Sequence, residues 1–371
     1  RKDAGDDYDV TNGILVYARA EFVKDETCCE KTHMPHLENS IFRSAREKAE
    51  TGLRLEDGKQ QEKEQFVQQS IEHPEMFIKI DGGIGIGRVT KPGLDQPVGA
   101  AAINSVPRKM IRDAVYALLE EAGELRPVSI TISVPAGVEA AKKTFNPVLG
   151  IEGGISVLGT SGIVEPMSEE ALVETIRTHL NVLRAEGRKW VIAVPGNMGA
   201  GFLKGYLTEQ NKTSVGSVEA FMNSLVIMSN FVGRTIDITA ELGFSGILIA
   251  GHMGKLVKIG NGIMNTHSRE ADGRMDTMLS CALSAGTEDL ELLRKIQESN
   301  TTDEVMDHLK QAGILDDTIK VFLKRAAWHL AHRSRDEVKT GMIVFGTKGE
   351  YLGETEDADM ILKKALEELD R

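Results

Sequence analysis

The feature that most constrains this chain is a strand, a glycine-bearing turn and a helix recurring three times in its second half. Ile155–Leu158 leads into Gly159-Thr160-Ser161-Gly162 and then a helix over Ser168–Ala185 with Ser168 as its N-cap. Trp190–Val194 ends at Pro195-Gly196-Asn197, and a long helix is expected over Glu219–Leu242. Gly246–Ala250 ends at Gly251-His252-Met253-Gly254, followed by a helix-like stretch, Lys255–Met264. Short apolar strands separated by helices predict a parallel sheet with crossover helices. Ligands of such sheets sit beyond the carboxyl ends of the strands, which draws attention to the three glycine turns. Helices are further expected over Thr287–Gln297, Thr302–Lys310 and Asp317–Arg333, with a last strand, Gly341–Phe345, entering a hairpin at Thr347-Lys348-Gly349.

The first half has a different rhythm. Strands are expected over Gly13–Phe22, Met76–Ile80 and Val128–Val134, the last alternating with period two. Pro107–Leu125 carries apolar residues at helical spacing, with proline in the first turn and Gly123 as C-cap. The polar, charge-mixed stretch 24–73 reads as a surface insertion. The expected organisation is an α+β domain with a mixed sheet over 1–153, then an α/β Rossmann-like domain with a mainly parallel sheet over 154–371.

Composition narrows the function. The chain of 371 residues has 41% apolar and 27% charged residues and a net charge of −12, which argues against a general nucleic-acid binder. Its cysteines, Cys28, Cys29 and Cys281, form neither a disulfide framework nor a CxxC pair, so a reducing cytoplasm is expected. No apolar run is long enough to span a bilayer. The chain begins at Arg1 without methionine, and residues are expected to precede it.

Each candidate motif has a bland counterpart. Glycines 82, 83, 85 and 87 resemble a phosphate cradle, but they miss the G-x-G-x-x-G pattern and equally suit a tight turn. Ser161 lacks the glycine at 163 that a nucleophile elbow needs. His252 at a strand end and His267 in a polar loop are candidate bases, as is Asp6 in the acidic run Asp3–Asp9. His329 and His332, three apart on a helix, lack a third ligand, and the Cys28–His36 stretch could bind metal only adventitiously. No protein metal site is expected. Arg88, Lys91, Arg108, Lys109 and Arg112 form a local basic excess opposed only by Asp95, suited to a polycarboxylate or to a solvated helix face.

Several longer stretches carry a resemblance. They are Lys2–Thr11 (KDAGDDYDVT), Gly87–Pro97 (GRVTKPGLDQP), Ala102–Met110 (AINSVPRKM), Lys143–Pro166 (KTFNPVLGIEGGISVLGTSGIVEP), Pro195–Asn197, Gly246–Leu256 (GILIAGHMGKL) and Gly262–Arg274 (GIMNTHSREADGR). In this order they resemble the cobalt-precorrin-5B (C1)-methyltransferases, the CbiD family. Three departures stand out: the family's Thr/Ala-rich N-terminal segment is absent before Arg1, the stretch from Lys24 to His73 is longer, and Met198 follows Asn197 where the family more often has an aromatic residue.

The resemblance implies methyl transfer from S-adenosyl-L-methionine to C1 of cobalt-precorrin-5B, giving cobalt-precorrin-6A in anaerobic cobalamin biosynthesis. Cobalt would arrive only as part of the substrate. At the strand-end loops, the donor is expected at Gly159, Thr160, Ser161, Gly162, Gly196, Asn197 and Gly251, where glycines permit close backbone approach. Substrate carboxylates would meet Arg88, Lys91, Arg108 and Arg112, with Lys255, Arg269 and Arg274 as second candidates. His252, His267 or Asp6 would be the base. No nucleic acid or membrane partner is expected; a homodimer and transient contacts with neighbouring pathway enzymes stay open. The alternatives are a non-catalytic tetrapyrrole-binding or channelling protein and a nucleotide-dependent phosphotransferase.

Overall fold

A computed structural model describes residues 2, 11–23, 78–123, 126–159, 169–209 and 215–369. The chain divides into two compact units, Arg1–Lys91 with Asp95–Pro166, and Pro92–Leu94 with Met167–Arg371. The 24–73 stretch and Asp6 lie outside the described residues.

The first unit holds β1 (Tyr17–Phe22), β2 (Ile78–Gly82), β3 (Gly85–Ile86), β4 (Arg88–Val89), α1 (Ser105–Ala122), β5 (Val128–Ser133), α2 (Gly137–Ala141), α3 (Asn146–Leu149), β6 (Ile151–Glu152) and β7 (Gly154–Ile155). β5 is the middle strand of a three-stranded sheet, antiparallel to β1 and parallel to β2. Its alternate residues Val128, Ile130 and Ile132 enter a core with Ile78, Ile80 and Ile103, against which Ile111, Val115 and Leu119 of α1 pack. Gly123 ends α1 with φ 63°, the left-handed conformation that closes a helix without a Cβ clash. The Asp95 carboxylate caps the other end, accepting from the Ser105 N–H at 2.6 Å and its hydroxyl at 2.9 Å.

The glycine run at 82–87 packs strands together. Gly85 has φ +79°, and a Cβ there would lie 1.7 Å from the Val134 carbonyl oxygen. This lets β3 pair in parallel with β7. Gly154–Ile155 therefore belongs to the first unit, and the division falls after Pro166, downstream of the Gly153 boundary expected from the strand rhythm. A two-residue strand completed by a glycine run far away in sequence has no local signature.

The second unit contains α4 (Glu169–Ala185), β8 (Trp190–Val194), α5 (Asn197–Glu209), α6 (Val215–Ser224), β9 (Val226–Ile227), α7 (Val232–Glu241), β10 (Gly246–His252), α8 (Met253–Leu256) and a 3₁₀ turn at Val257–Asn261. Then follow α9 (Arg274–Ser284), α10 (Leu290–Glu298), α11 (Thr302–Gln311), α12 (Leu315–Ser334), β11 (Lys339–Phe345), β12 (Tyr351–Glu354) and α13 (Ala358–Leu369). The five-stranded sheet runs β9-β8-β10-β11-β12, with all pairs parallel except the closing β11–β12 hairpin. Alternate strand residues enter two cores. Val191, Ala193, Ile247 and Ile249 meet α4, α7, α9 and α12, while Ile192, Val194 and Leu248 meet α5, α6 and α13.

The single helix expected over Glu219–Leu242 is broken. Leu225 is buried, Val226–Ile227 adds to the edge of β8, and Ser229 takes a positive φ of 52° before α7 begins. Pairing with β8 outweighs the helical spacing of the flanking apolar residues. Ser168, the expected N-cap of α4, lies outside the described residues. Among the described residues no helix is long and apolar enough to cross a membrane.

Candidate functional site

The carboxyl ends of β8, β9, β10 and β11 meet at one edge of the second unit's sheet. β10 delivers His252, whose Nδ1 accepts the Gly254 N–H at 3.0 Å and so caps α8. Nε2 therefore carries the proton and donates to Thr347 Oγ1 at 2.9 Å, just past β11. Thr347 in turn donates to Asp303 at 2.5 Å. Both imidazole nitrogens are engaged, so His252 ties strand ends together instead of presenting a free base.

One turn later Lys255 reaches Asn230, past the end of β9, with Nζ 3.1 Å from Oδ1. Burial, then the neighbouring charge of Lys258, pulls the Lys255 ammonium below its ordinary value. Asn230 also holds the Asn265–Arg269 loop, its carbonyl accepting the Thr266 N–H at 2.9 Å. Lys258, only 3% exposed, donates to the carbonyls of Thr266 and Ala271 at 3.1 and 2.6 Å. That amine pins the polar loop on which His267 and Arg269 stand. His267 accepts the Arg269 N–H at Nδ1, and its ring makes no other hydrogen bond among the described residues, leaving Nε2 open. Arg274 is held by Asp272 through two bonds of 2.5 and 2.9 Å. The hydrogen bond from Arg274 chiefly keeps the Asp272 carboxyl below its usual range.

The expected donor glycines separate. Gly251 is a packing position, because a Cβ would approach Leu256 at 2.9 Å and Pro195 at 3.1 Å. Gly196 faces open space, and Asn197 opens α5. Gly159 has φ +135° in the first unit, whereas Thr160, Ser161 and Gly162 lie outside the described residues.

In the first unit the basic residues divide by task. Arg88 grips Asp81 at 2.6 and 3.2 Å and the Gly82 carbonyl at 2.7 Å. Burial alone would raise the Asp81 carboxyl, but the bonds from Arg88 and the Gly82 N–H hold it below its ordinary value. Arg108 donates to the carbonyls of Ile103, Ile80 and Ala101 at 2.7, 2.8 and 3.1 Å. Burial, then the nearby Arg112 charge, lowers its pKa. Both act as braces between elements. Lys91 lays its aliphatic stem over Gly150. Arg112 is different: its Nε is buried without an acceptor, beside a second guanidinium. An anionic ligand would remove that cost.

His329 and His332 pack around the exposed ring of Trp328, with His332 stacked at 5.0 Å, and among the described residues they belong to no group of three or more metal-ligating side chains. Cys28, Cys29, His33 and His36 lie outside the described residues. Asn230, Lys258, Thr347 and Asp303 were not singled out from sequence. The one available signal was Lys258, a charge inside the apolar run Val257–Ile259.

Comparison with known proteins supplies the family. Profiles described as CbiD and as CbiD, C-terminal domain match residues 54–166 and 265–356. A Ruminiclostridium cellulolyticum protein, named cobalt-precorrin-5B C(1)-methyltransferase, is 38% identical over 93% of this chain and 73% of its own length. This chain belongs to the CbiD family. Relatives of the same name from Fusobacterium nucleatum and Methanocaldococcus jannaschii are 37% and 42% identical, over 96% and 74% of this chain and 80% and 72% of theirs. A crystal structure of a CbiD cobalamin biosynthesis protein from Archaeoglobus fulgidus matches 72% of this chain and 63% of that chain at 20% identity, with a TM-score of 0.26, too low to support any structural argument. The Arg112 helix and the start of the Lys258-pinned loop fall within the two matched regions.

Proposed function

We propose that this chain transfers a methyl group to C1 of cobalt-precorrin-5B, with S-adenosyl-L-methionine as donor and cobalt-precorrin-6A as product. The observation that carries this reading is the match to methyltransferases of that name across nearly the whole chain. In the reaction a nucleophilic ring carbon attacks the sulfonium methyl in line, and the S–CH₃ electron pair stays on sulfur. Positioning supplies much of such catalysis, on the order of 7–11 kcal/mol. No covalent enzyme intermediate is needed.

The second unit's strand order supports a Rossmann-like reading, with the donor at the carboxyl edge of the parallel strands. The first unit's Arg112 supports substrate-carboxylate recognition, with Arg88 and Arg108 as its scaffold. Of the candidate bases on described residues, His267 has the open nitrogen and His252 does not.

The test is incubation with cobalt-precorrin-5B and methyl-labelled donor. Label is expected in the ring, and His267→Gln is expected to slow its transfer. Tetrapyrrole binding without label transfer would mark a non-catalytic binder and overturn the reading.

A further inference from the structure

A cavity of about 540 Å³ opens between the N-terminal ends of α4 and α7, within the size range of small-molecule sites. Strand order alone would put a ligand in the crevice between β8 and β10. There, however, Leu256 and Pro195 fill the space beside Gly251, and the His252 nitrogens are both engaged. Among the described residues, open volume is found at the N-terminal ends of α4 and α7. Its floor is held firmly. Phe231 bridges to Asn265, and the Gly233 N–H donates to the Met264 carbonyl at 3.0 Å.

The lining has a definite charge pattern. Glu169, Glu170 and Glu174 stand on one side, with no ion-pair partner among the described residues. Arg177 and Arg333 also line the cavity, but Glu241 and Asp237 neutralise them. Arg234 is the remaining cation and has no such partner among the described residues. Phe231 and Met264 supply apolar surface.

We infer that this cavity binds the methyl donor, a ligand with an ammonium, a sulfonium, one carboxylate and an aromatic base. Arg234 takes the carboxylate, and the three glutamates face the two cationic groups. The inference rests on the methyl-transfer reading. The polycarboxylate substrate is the wrong sign for this rim, since three carboxylates would repel it. Transfer removes the sulfonium charge, so the same rim holds the product thioether less tightly and favours its release.

The experiment is calorimetric titration of the full chain with S-adenosylmethionine and S-adenosylhomocysteine. The sulfonium form is expected to bind more tightly. Glu174→Gln should weaken it about three- to tenfold and narrow the gap to the thioether, an effect of the size of one partly screened charge contact. Arg234→Ala should weaken both ligands but leave a decarboxylated donor unaffected. Wild-type affinities in both variants, with label transfer intact, would put the donor elsewhere and leave the function standing. Absence of both binding and label transfer in the unaltered chain would overturn function and site together.

Discussion

At the scale of single residues, charge alone does not separate a brace from a ligand contact. Arg108 and Arg112 stand four apart on α1 and are equivalent as sequence, but Arg108 is tied to three backbone carbonyls while Arg112 ends without an acceptor. Removing Arg108 takes a guanidinium donor away from the carbonyls of Ile80, Ala101 and Ile103. Arg108→Ala is expected to cost about 2–4 kcal/mol in chemical denaturation. Arg112→Ala should leave stability within about 0.5 kcal/mol, or raise it, because it deletes an uncompensated partly buried charge. Its effect should fall on tetrapyrrole affinity instead. Equal destabilisation by the two variants would sink this division.

At the scale of elements, the first unit depends on places where a side chain cannot fit. Gly85→Ala would force a Cβ against the Val134 carbonyl at a positive φ, and should cost at least about 2 kcal/mol, read as a lower denaturation midpoint. The link between β2 and β4 also has a pH signature. The folded-state pKa of Asp81 lies below its ordinary 3.8, so the Arg88 pair contributes stability that is present above about pH 3.8. That contribution is lost as pH falls through the lower folded-state value. Acid titration of Asp81→Asn should therefore show a shallower loss of stability below pH 3.8 than the unaltered chain; parallel curves would contradict the assignment. Elements were unequally legible. Trp190–Val194 has the bounds its apolar run predicts, because a buried strand between polar turns needs no distant partner to be recognised. β9 lies in a stretch whose spacing predicts helix, because two residues acquire strand geometry only from the open edge of β8.

At the scale of the whole molecule, a net charge of −12 and an anionic substrate oppose one another. Which field dominates is measurable, because salt screens exposed charge over about 10 Å at ~0.1 M and ~3 Å at 1 M. If the local charge of Arg112 governs encounter, substrate affinity should fall with rising salt, less steeply in Arg112→Ala. If the average surface governs, affinity should rise with salt.

The sequence by itself determined the periodic elements, the apolar faces that build the cores, the position of the glycine turns and, through long ordered motifs, the family. These are local or contiguous properties, written in spacing and residue type. Only the tertiary structure decided which charges are braces and which are free, that Gly251 is packed, that His252 is engaged at both nitrogens, and that open volume lies at the N-terminal ends of α4 and α7. Those outcomes depend on partners far apart in the chain: Thr347 for His252, Ile80 for Arg108, Ala271 for Lys258. Hydrogen-bond satisfaction and steric room are set by groups that folding alone brings within a few ångströms.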